Sequence, residues 1–219
     1  MIQVKAVSKS YNGRKVLDRF TMQLEEGGIY CLMGASGIGK TTLLRILMGL
    51  EQPDGVDESR TMIHKRPGRA EESRIAAQKN VPETGCISGL EHKRISAVFQ
   101  ENRLCEYADA VKNIRLAAGR DGLLTEPEKL LDGLLEPEAW HRPMGELSGG
   151  MQRRVAVLRA LAVKSDFLIM DEPFTGLDTE TKDKLIAAVL EYRSGRTLLV
   201  VSHQEEDAHL LGAEIIRIS

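Results

Sequence analysis

"IYCLMGASGIGKTTLL" spans positions 29–44, and its reading decides the fold. The first five residues form a continuous apolar run, the pattern of a strand buried on both faces. Three glycines follow at Gly34, Gly37 and Gly39, with Lys40 and Thr41 directly behind them. Leu43, Leu44, Leu47 and Leu50 then recur at helical spacing. This predicts a helix from Gly39 to about Leu50, stopped by "EQPDG" at 51–55. Strand, glycine loop and helix in that order make a phosphate cradle. Gly34, Gly39, Lys40 and Thr41 fit G-x-x-x-x-G-K-[ST].

The chemistry follows from the residue types. Glycines let successive backbone N–H groups point into one concave loop without Cβ clashes. The helix behind them adds unpaired N–H groups and the positive end of its dipole. Lys40 supplies a point charge for β and γ phosphates, and the Thr41 hydroxyl can ligate Mg²⁺. Candidate contacts to the phosphates are therefore Gly34, Ala35, Ser36, Gly37, Ile38, Gly39, Lys40, Thr41 and Thr42. The motif alone serves kinases, GTPases, helicases and transport ATPases alike.

A second acidic site lies in "FLIMDEP" at 167–173. An apolar strand there ends in two carboxylates, and ligands of open α/β sheets sit beyond the carboxyl ends of the strands. Asp171 is placed to hold Mg²⁺, and Glu172 to act as general base toward an attacking water. Further strands are predicted at "ISAVF" (95–99), "TLLVV" (197–201) and "EIIRI" (214–218). Phe20, Met22 and Leu24 alternate with polar residues as in a half-buried strand near the N-terminus. Helices are predicted from Ser148 to about Val163 and over 179–193, with short helical pieces in 104–146, where Pro127 suits a first helical position. Strands alternating with helices predict a largely parallel sheet covered on both faces.

Bulk composition fits this reading. The 219 residues are 42% hydrophobic and 28% charged with a net charge of -2, which fits one ordinary globular domain. That charge balance, with aromatics at only 4%, gives no sign of a nucleic-acid partner. No apolar run approaches the roughly 20 residues that span a bilayer, and the N-terminus lacks the apolar core of a signal peptide. The expected location is the cytoplasm. Cys31, Cys86 and Cys105 are too far apart for a metal motif and read as reduced thiols, Cys31 in a core strand. Residues 56–84 have no aromatic residue and dense mixed charge, and read as a solvated surface insertion.

"LSGGMQRR" at 147–154 resembles the signature of ATP-binding cassette (ABC) ATPases. Nearly the whole chain is similar to that family in motif order: "GASGIGKTT", "VFQEN", "LSGGM", "FLIMDEP", "GLD", "VSHQ". The resemblance implies an α/β phosphate-loop NTPase with a mostly parallel central sheet, an N-terminal antiparallel β region and a small helical subdomain at 101–147. It implies ATP and Mg²⁺ as ligands. Tyr11 would stack on adenine, or stand as an exposed tyrosine at a strand end. Gln100 would touch Mg²⁺ and the water, Asp171 would hold the metal with Thr41, Glu172 would be the base, and His203 would contact the γ-phosphate. Ser148 can cap its helix while Gly149 and Gly150 leave the helix start open, making a second anion site. In the family this site closes over the ATP of a partner subunit. Asp178 would couple the two sites, and it can also cap the helix that follows.

The resemblance implies a homodimer with two ATPs at its interface, separate transmembrane permease subunits and a substrate-binding protein. The chain would sit peripherally on the inner face of the cell membrane. "VFQENRL" resembles subunits of nitrate, sulfonate and taurine importers. Departures are Met151 where the family usually has glutamine, a short stretch between Gln100 and Leu147, and the insertion at 56–84. The C-terminal regulatory domain of some importers is not expected after Ser219. Alternatives are a soluble ABC ATPase acting on ribosomes, DNA or iron–sulfur assembly, and a phosphate-loop small-molecule kinase. Deleting 56–84 is expected to leave ATPase activity and partner binding intact. Loss of either in the shortened protein removes the passive reading of that segment.

Overall fold

Two patterns of burial build two sheets from this chain. The computed structural model describes residues 1–55, 85–119 and 122–218, so the insertion read at 56–84 lies outside the described residues. In chain order the elements begin with β1 (Ile2–Tyr11), β2 (Arg14–Leu24), β3 (Ile29–Met33), α1 (Lys40–Leu47) and β4 (Cys86–Ser88). They continue with β5 (Ile95–Val98), α2 (Ala110–Ala117), α3 (Pro127–Leu131) and α4 (Gly149–Ala162). The last are β6 (Phe167–Asp171), α5 (Thr179–Tyr192), β7 (Thr197–Val201), α6 (Glu205–Leu211) and β8 (Glu214–Arg217). Packing divides the chain into a smaller unit, Met1–Leu24 with Ser36–His92, and a larger one, Glu25–Ala35 with Lys93–Ser219.

The smaller unit carries an antiparallel sheet in the order β2-β1-β4. Asn12 and Gly13 form its hairpin turn with φ of 49° and 78°, joining the paired residues Tyr11 and Arg14. A two-residue turn with both φ values positive matches the twist of the strands, and Asn-Gly is the pair best suited to it. A bulge between Val4 and Val7, with Ala6 at φ 48°, shifts the phase of alternation. Ile2 and Val4 therefore share burial with Val7 rather than with Ala6. The Ala6 N–H, displaced from the ladder, donates to Thr21 Oγ1 at 2.9 Å.

Helix α1 stops three residues short of the predicted end. Gly49 takes φ 67°, its N–H donates to the Ile46 carbonyl at 3.0 Å, and the Leu50 N–H reaches back to the Arg45 carbonyl at 2.9 Å. That crossed pair of bonds satisfies the last carbonyls of the helix and turns the chain out of it. Leu50 is 60% exposed, so it is not the fourth member of the buried leucine stripe.

The larger unit carries a five-stranded sheet in the order β5-β6-β7-β3-β8. Every neighbouring pair in it is parallel. All residues of β6 and β7 are buried, as their uninterrupted apolar runs predict. The main core of this unit joins β6 and β7 to α2, α4 and α5. Asn113, 1% exposed, ties the approach to α2: its amide N–H groups reach the carbonyls of Cys105, Ala108 and Asp109, and its Oδ1 accepts from the Cys105 N–H. The stretch 101–147 holds α2, α3 and two 3-10 turns at Pro137–Ala139 and Met144–Glu146 among its described residues.

Cys31 is fully buried in β3, while Cys86 and Cys105 are exposed, and none of the three is in a disulfide. Burial, helped by the nearby Asp207 charge, pushes the Cys31 thiol up to about 11. Since the thiolate is the nucleophile, iodoacetamide at about pH 8 should label Cys86 and Cys105 in the folded protein and spare Cys31 until denaturant is added. Mass spectrometry of the digest reads this directly, and equal labelling of Cys31 would show that β3 is not a core strand.

Candidate active site

In the larger unit the parallel sheet brings four strand ends to one edge. Gly34 follows β3, Phe99 and Gln100 follow β5, Glu172 follows β6, and Ser202 and His203 follow β7. Asp171 is the last residue of β6 and is buried at 5% exposure. Gln100, Asn102, Gly149, Arg153, Glu172 and Thr175 line a cleft of about 200 Å³ there. Four sequence-predicted residues thus gather in one place: Gln100, Gly149 and Glu172 on the cleft, and His203 against Glu172.

Glu172 is held in an uncommon conformation. Its φ is +50°, a left-handed value that glycine adopts freely and a glutamate does not. Its N–H donates to the Val201 carbonyl at 3.0 Å, which fastens it to the end of β7. One carboxylate oxygen lies 2.9 Å from His203 Nε2, and the Thr175 hydroxyl lies 3.4 Å from the other. The His203 side chain is 44% exposed and that of Glu172 21%, so the pair is open to water. Sequence reading gave the two residues separate roles, and the fold sets the imidazole against the carboxylate.

Arg153 of α4 lines the cleft and Arg159 of the same helix braces the segment after β5, and sequence reading missed both. Arg153, 6% exposed, donates through Nη1 to the carbonyls of Phe99 at 2.5 Å and Gln100 at 3.3 Å, and to Asn102 Oδ1 at 3.2 Å. Through Nη2 it donates to the carbonyls of Asp171 at 2.5 Å and Glu172 at 2.6 Å. Arg159 donates to the carbonyls of Arg103 at 2.8 Å and Asn102 at 3.2 Å. Burial lowers the pKa of both guanidiniums, and the Asp171 and Glu172 charges partly offset this at Arg153. The only sequence signal was a run of arginines on an apolar helix, which reads equally as a solvated face.

The signature residues sit at the start of α4. Ser148 is its N-cap and accepts from the Met151 N–H at 3.2 Å. A Cβ on Gly149 would meet nothing within 4 Å, whereas one on Gly150 would lie 3.4 Å from Leu177. Met151 packs partly buried on the main core. Asp178 caps α5 by accepting from the Thr181 N–H at 2.9 Å, and that bond holds its carboxyl below the usual range.

The smaller unit contains Ser36–Thr42 and Tyr11. Gly39 is the N-cap of α1 at φ 106°, and a Cβ there would stand 2.4 Å from the Val16 carbonyl oxygen and 2.9 Å from Leu17 Cδ2. Gly37 has φ 77° with open space where a Cβ would be. Only glycine fits Gly39, because the backbone of β2 occupies the side-chain position. Lys40 is buried at 6% exposure at the first turn of α1, and Thr41 is exposed. Tyr11 is 42% exposed, bonds Glu51 through its hydroxyl and has Lys9 Nζ 5.5 Å from its ring centroid. Burial and then the Glu51 bond raise its phenol above the ordinary value.

A glycine-rich loop between a buried strand and a helix, with two carboxylates at the end of another strand of the parallel sheet, defines a phosphate-loop α/β protein. Residues 17–175 match the ABC transporter family, and the chain belongs to it. It is 32% identical over 99% of its length to the spermidine/putrescine import ATP-binding protein PotA of Spiroplasma citri, covering 58% of that protein. It is 29% identical over its whole length to the aliphatic sulfonates import ATP-binding protein SsuB 2 of Burkholderia cenocepacia, covering 74% of that one. A solved dimeric ATP-binding cassette in a post-hydrolysis state bound to ADP and Pi superposes with a TM-score of 0.73 at 25% identity, covering all of this chain and 94% of that one. The chain spans about half the length of the first curated relatives it matches.

Gly39→Ala should destabilise the protein by at least about 1–3 kcal/mol from backbone strain alone, with the Val16 clash added. Gly37→Ala meets no neighbour and should cost less. Thermal unfolding of the two variants side by side checks this, and equal melting temperatures contradict the tight-approach account.

Proposed function

We propose that this chain binds and hydrolyses ATP to power import of a small molecule through separate membrane subunits, working as a dimer. The observation that carries the reading is the Glu172–His203 pair at 2.9 Å beside a cleft lined by Gln100 and Gly149. An imidazole this close to one carboxylate oxygen can orient the carboxylate toward a water. Glu172 then takes the proton of the attacking water, and His203 holds Glu172 in place and contacts the γ-phosphate.

The phosphate loop supplies binding. Backbone N–H groups from Gly34 to Thr42 hold the phosphate oxygens, Lys40 offsets their charge, and Tyr11 offers a ring face to the adenine. Thr41, Gln100 and Asp171 bring a hydroxyl, an amide oxygen and a carboxylate, the oxygen donors that Mg²⁺ takes. Bound there, the ion would neutralise charge developing on the transferred phosphoryl group.

Dimerisation is supported by the exposed start of α4 at Ser148 and Gly149 and by the dimeric form of the cassette it resembles. In that arrangement Ser148, Gly149 and Gly150 serve the ATP of the facing subunit, and Asp178 couples the two sites. Among the described residues no helix is long and apolar enough to cross a membrane. On the proposed reading the chain works at the inner face of the membrane on separate permease subunits, with a substrate-binding protein delivering cargo, as the names of its import relatives support. The names of its relatives, import ATP-binding proteins for polyamines, sulfate, sulfonates and taurine, support a small charged cargo.

Glu172→Gln should keep ATP affinity and hydrolyse ATP about 100-fold or more slowly, the scale of a lost general base. Held in the ATP state, it should also retain a polytopic membrane protein when drawn from detergent-solubilised membranes. Near-normal turnover in this variant removes Glu172 from the role. Capture of ribosomes or DNA factors instead redirects the reading to a soluble ABC ATPase.

A further inference from the structure

We infer that Arg153 is a positioning residue for hydrolysis: its guanidinium locks the Gln100 loop and the Glu172 turn into one rigid unit. The inference rests on the proposed ATPase role of Glu172 and Gln100. It comes from the distribution of five hydrogen bonds. Three go to the segment after β5, at Phe99, Gln100 and Asn102, and two to the junction after β6, at Asp171 and Glu172. No other described side chain is shown bonding both segments.

The choice of acceptors separates this arginine from an ordinary ion pair. All five are neutral oxygens, four of them main-chain carbonyls. Removing a cation from water for neutral partners is costly, and several acceptors at both Nη1 and Nη2 compensate. The fork also meets the strained point of the cleft. Glu172 sits at φ +50°, and its carbonyl and N–H are tied to Arg153 and Val201, which over-determine that conformation. Without Arg153 the Glu172 turn can relax toward ordinary φ values. The carboxylate would then swing away from His203, and the Gln100 loop would lose its link to it.

The chain contains its own control. Arg196 is buried at 8% exposure and holds main-chain carbonyls of Leu161, Val163, Tyr192 and Arg193, together with the Ser165 hydroxyl. It precedes β7, at the end of the sheet remote from the strand carboxyl ends. Arg153 and Arg196 thus do similar structural work, and only Arg153 touches the two segments that carry Gln100 and Glu172.

Steady-state ATP hydrolysis and thermal unfolding of wild type, Arg153→Met, Arg153→Lys, Arg196→Met and Glu172→Gln test this. Arg153→Met is expected to lower kcat about 10- to 100-fold, the scale of a displaced catalytic group, with KM for ATP near wild type. A lysine cannot span both segments, so folded Arg153→Lys should also be slow. Arg196→Met should melt earlier while its folded fraction keeps wild-type kcat. Wild-type kcat in folded Arg153→Lys or Arg153→Met overturns the inference, as does an equal kcat loss in Arg196→Met. If Glu172→Gln hydrolyses ATP as fast as wild type, the functional reading fails and the inference falls with it. A slow Glu172→Gln beside a fast Arg153→Lys removes the inference alone.

Discussion

Every residue of β6 and β7 is buried, and the chemistry of the larger unit depends on that constraint. A charge within such a strand would lie in the core without water, at a cost that only close partners offset. Polar groups are therefore pushed to the ends of the runs. Because all the strands are parallel, their carboxyl ends fall on one edge, and Gly34, Gln100, Glu172 and His203 all lie just past it. Asp171 is the exception within a strand, buried at its last position where its carbonyl accepts from Arg153.

A second buried network supports the same edge from behind. Asp207, 3% exposed, accepts from the Ser202 hydroxyl at 2.5 Å and lies 3.3 Å from Lys182 Nζ. Lys182 also donates to Glu206 at 2.8 Å and Gln204 at 3.1 Å, and the Glu206 bond raises its pKa. Lys182 lies one turn into α5, the helix that Asp178 caps. The residues flanking His203 are thereby tied to the helix that presents Asp178.

Local chemistry was legible in the sequence wherever backbone geometry demanded particular residues. The phosphate loop announced itself because Gly39 has the β2 backbone where a side chain would go. The apolar runs at 29–33, 167–171 and 197–201 could be read as buried strands because a parallel sheet covered on both faces tolerates little else. Ser148 and Asp178 were readable as caps from residue type and position, and both accept the expected N–H. Leu50 misled because its spacing continues the leucine stripe, while Gly49 ends the helix first. Arg153, Arg159 and Lys182 were invisible for a different reason. Their partners are mostly main-chain oxygens or groups distant in sequence, and nothing local separates a buried cation from a solvated one.

The neutrality of Arg153's acceptors has a chemical consequence for Glu172. An arginine paired directly with the Glu172 carboxylate would occupy its oxygens with a bidentate fork. Bonding the carbonyls of Asp171 and Glu172 instead fixes the backbone from which the carboxylate projects, and the carboxylate oxygens meet His203 and Thr175. His203, not the buried arginine, then makes the direct contact with the carboxylate, from a position open to water. The site thus separates two tasks that one cation cannot combine. A buried permanent charge fixes the main chain from which the carboxylate projects, and an exposed imidazole meets the carboxylate itself.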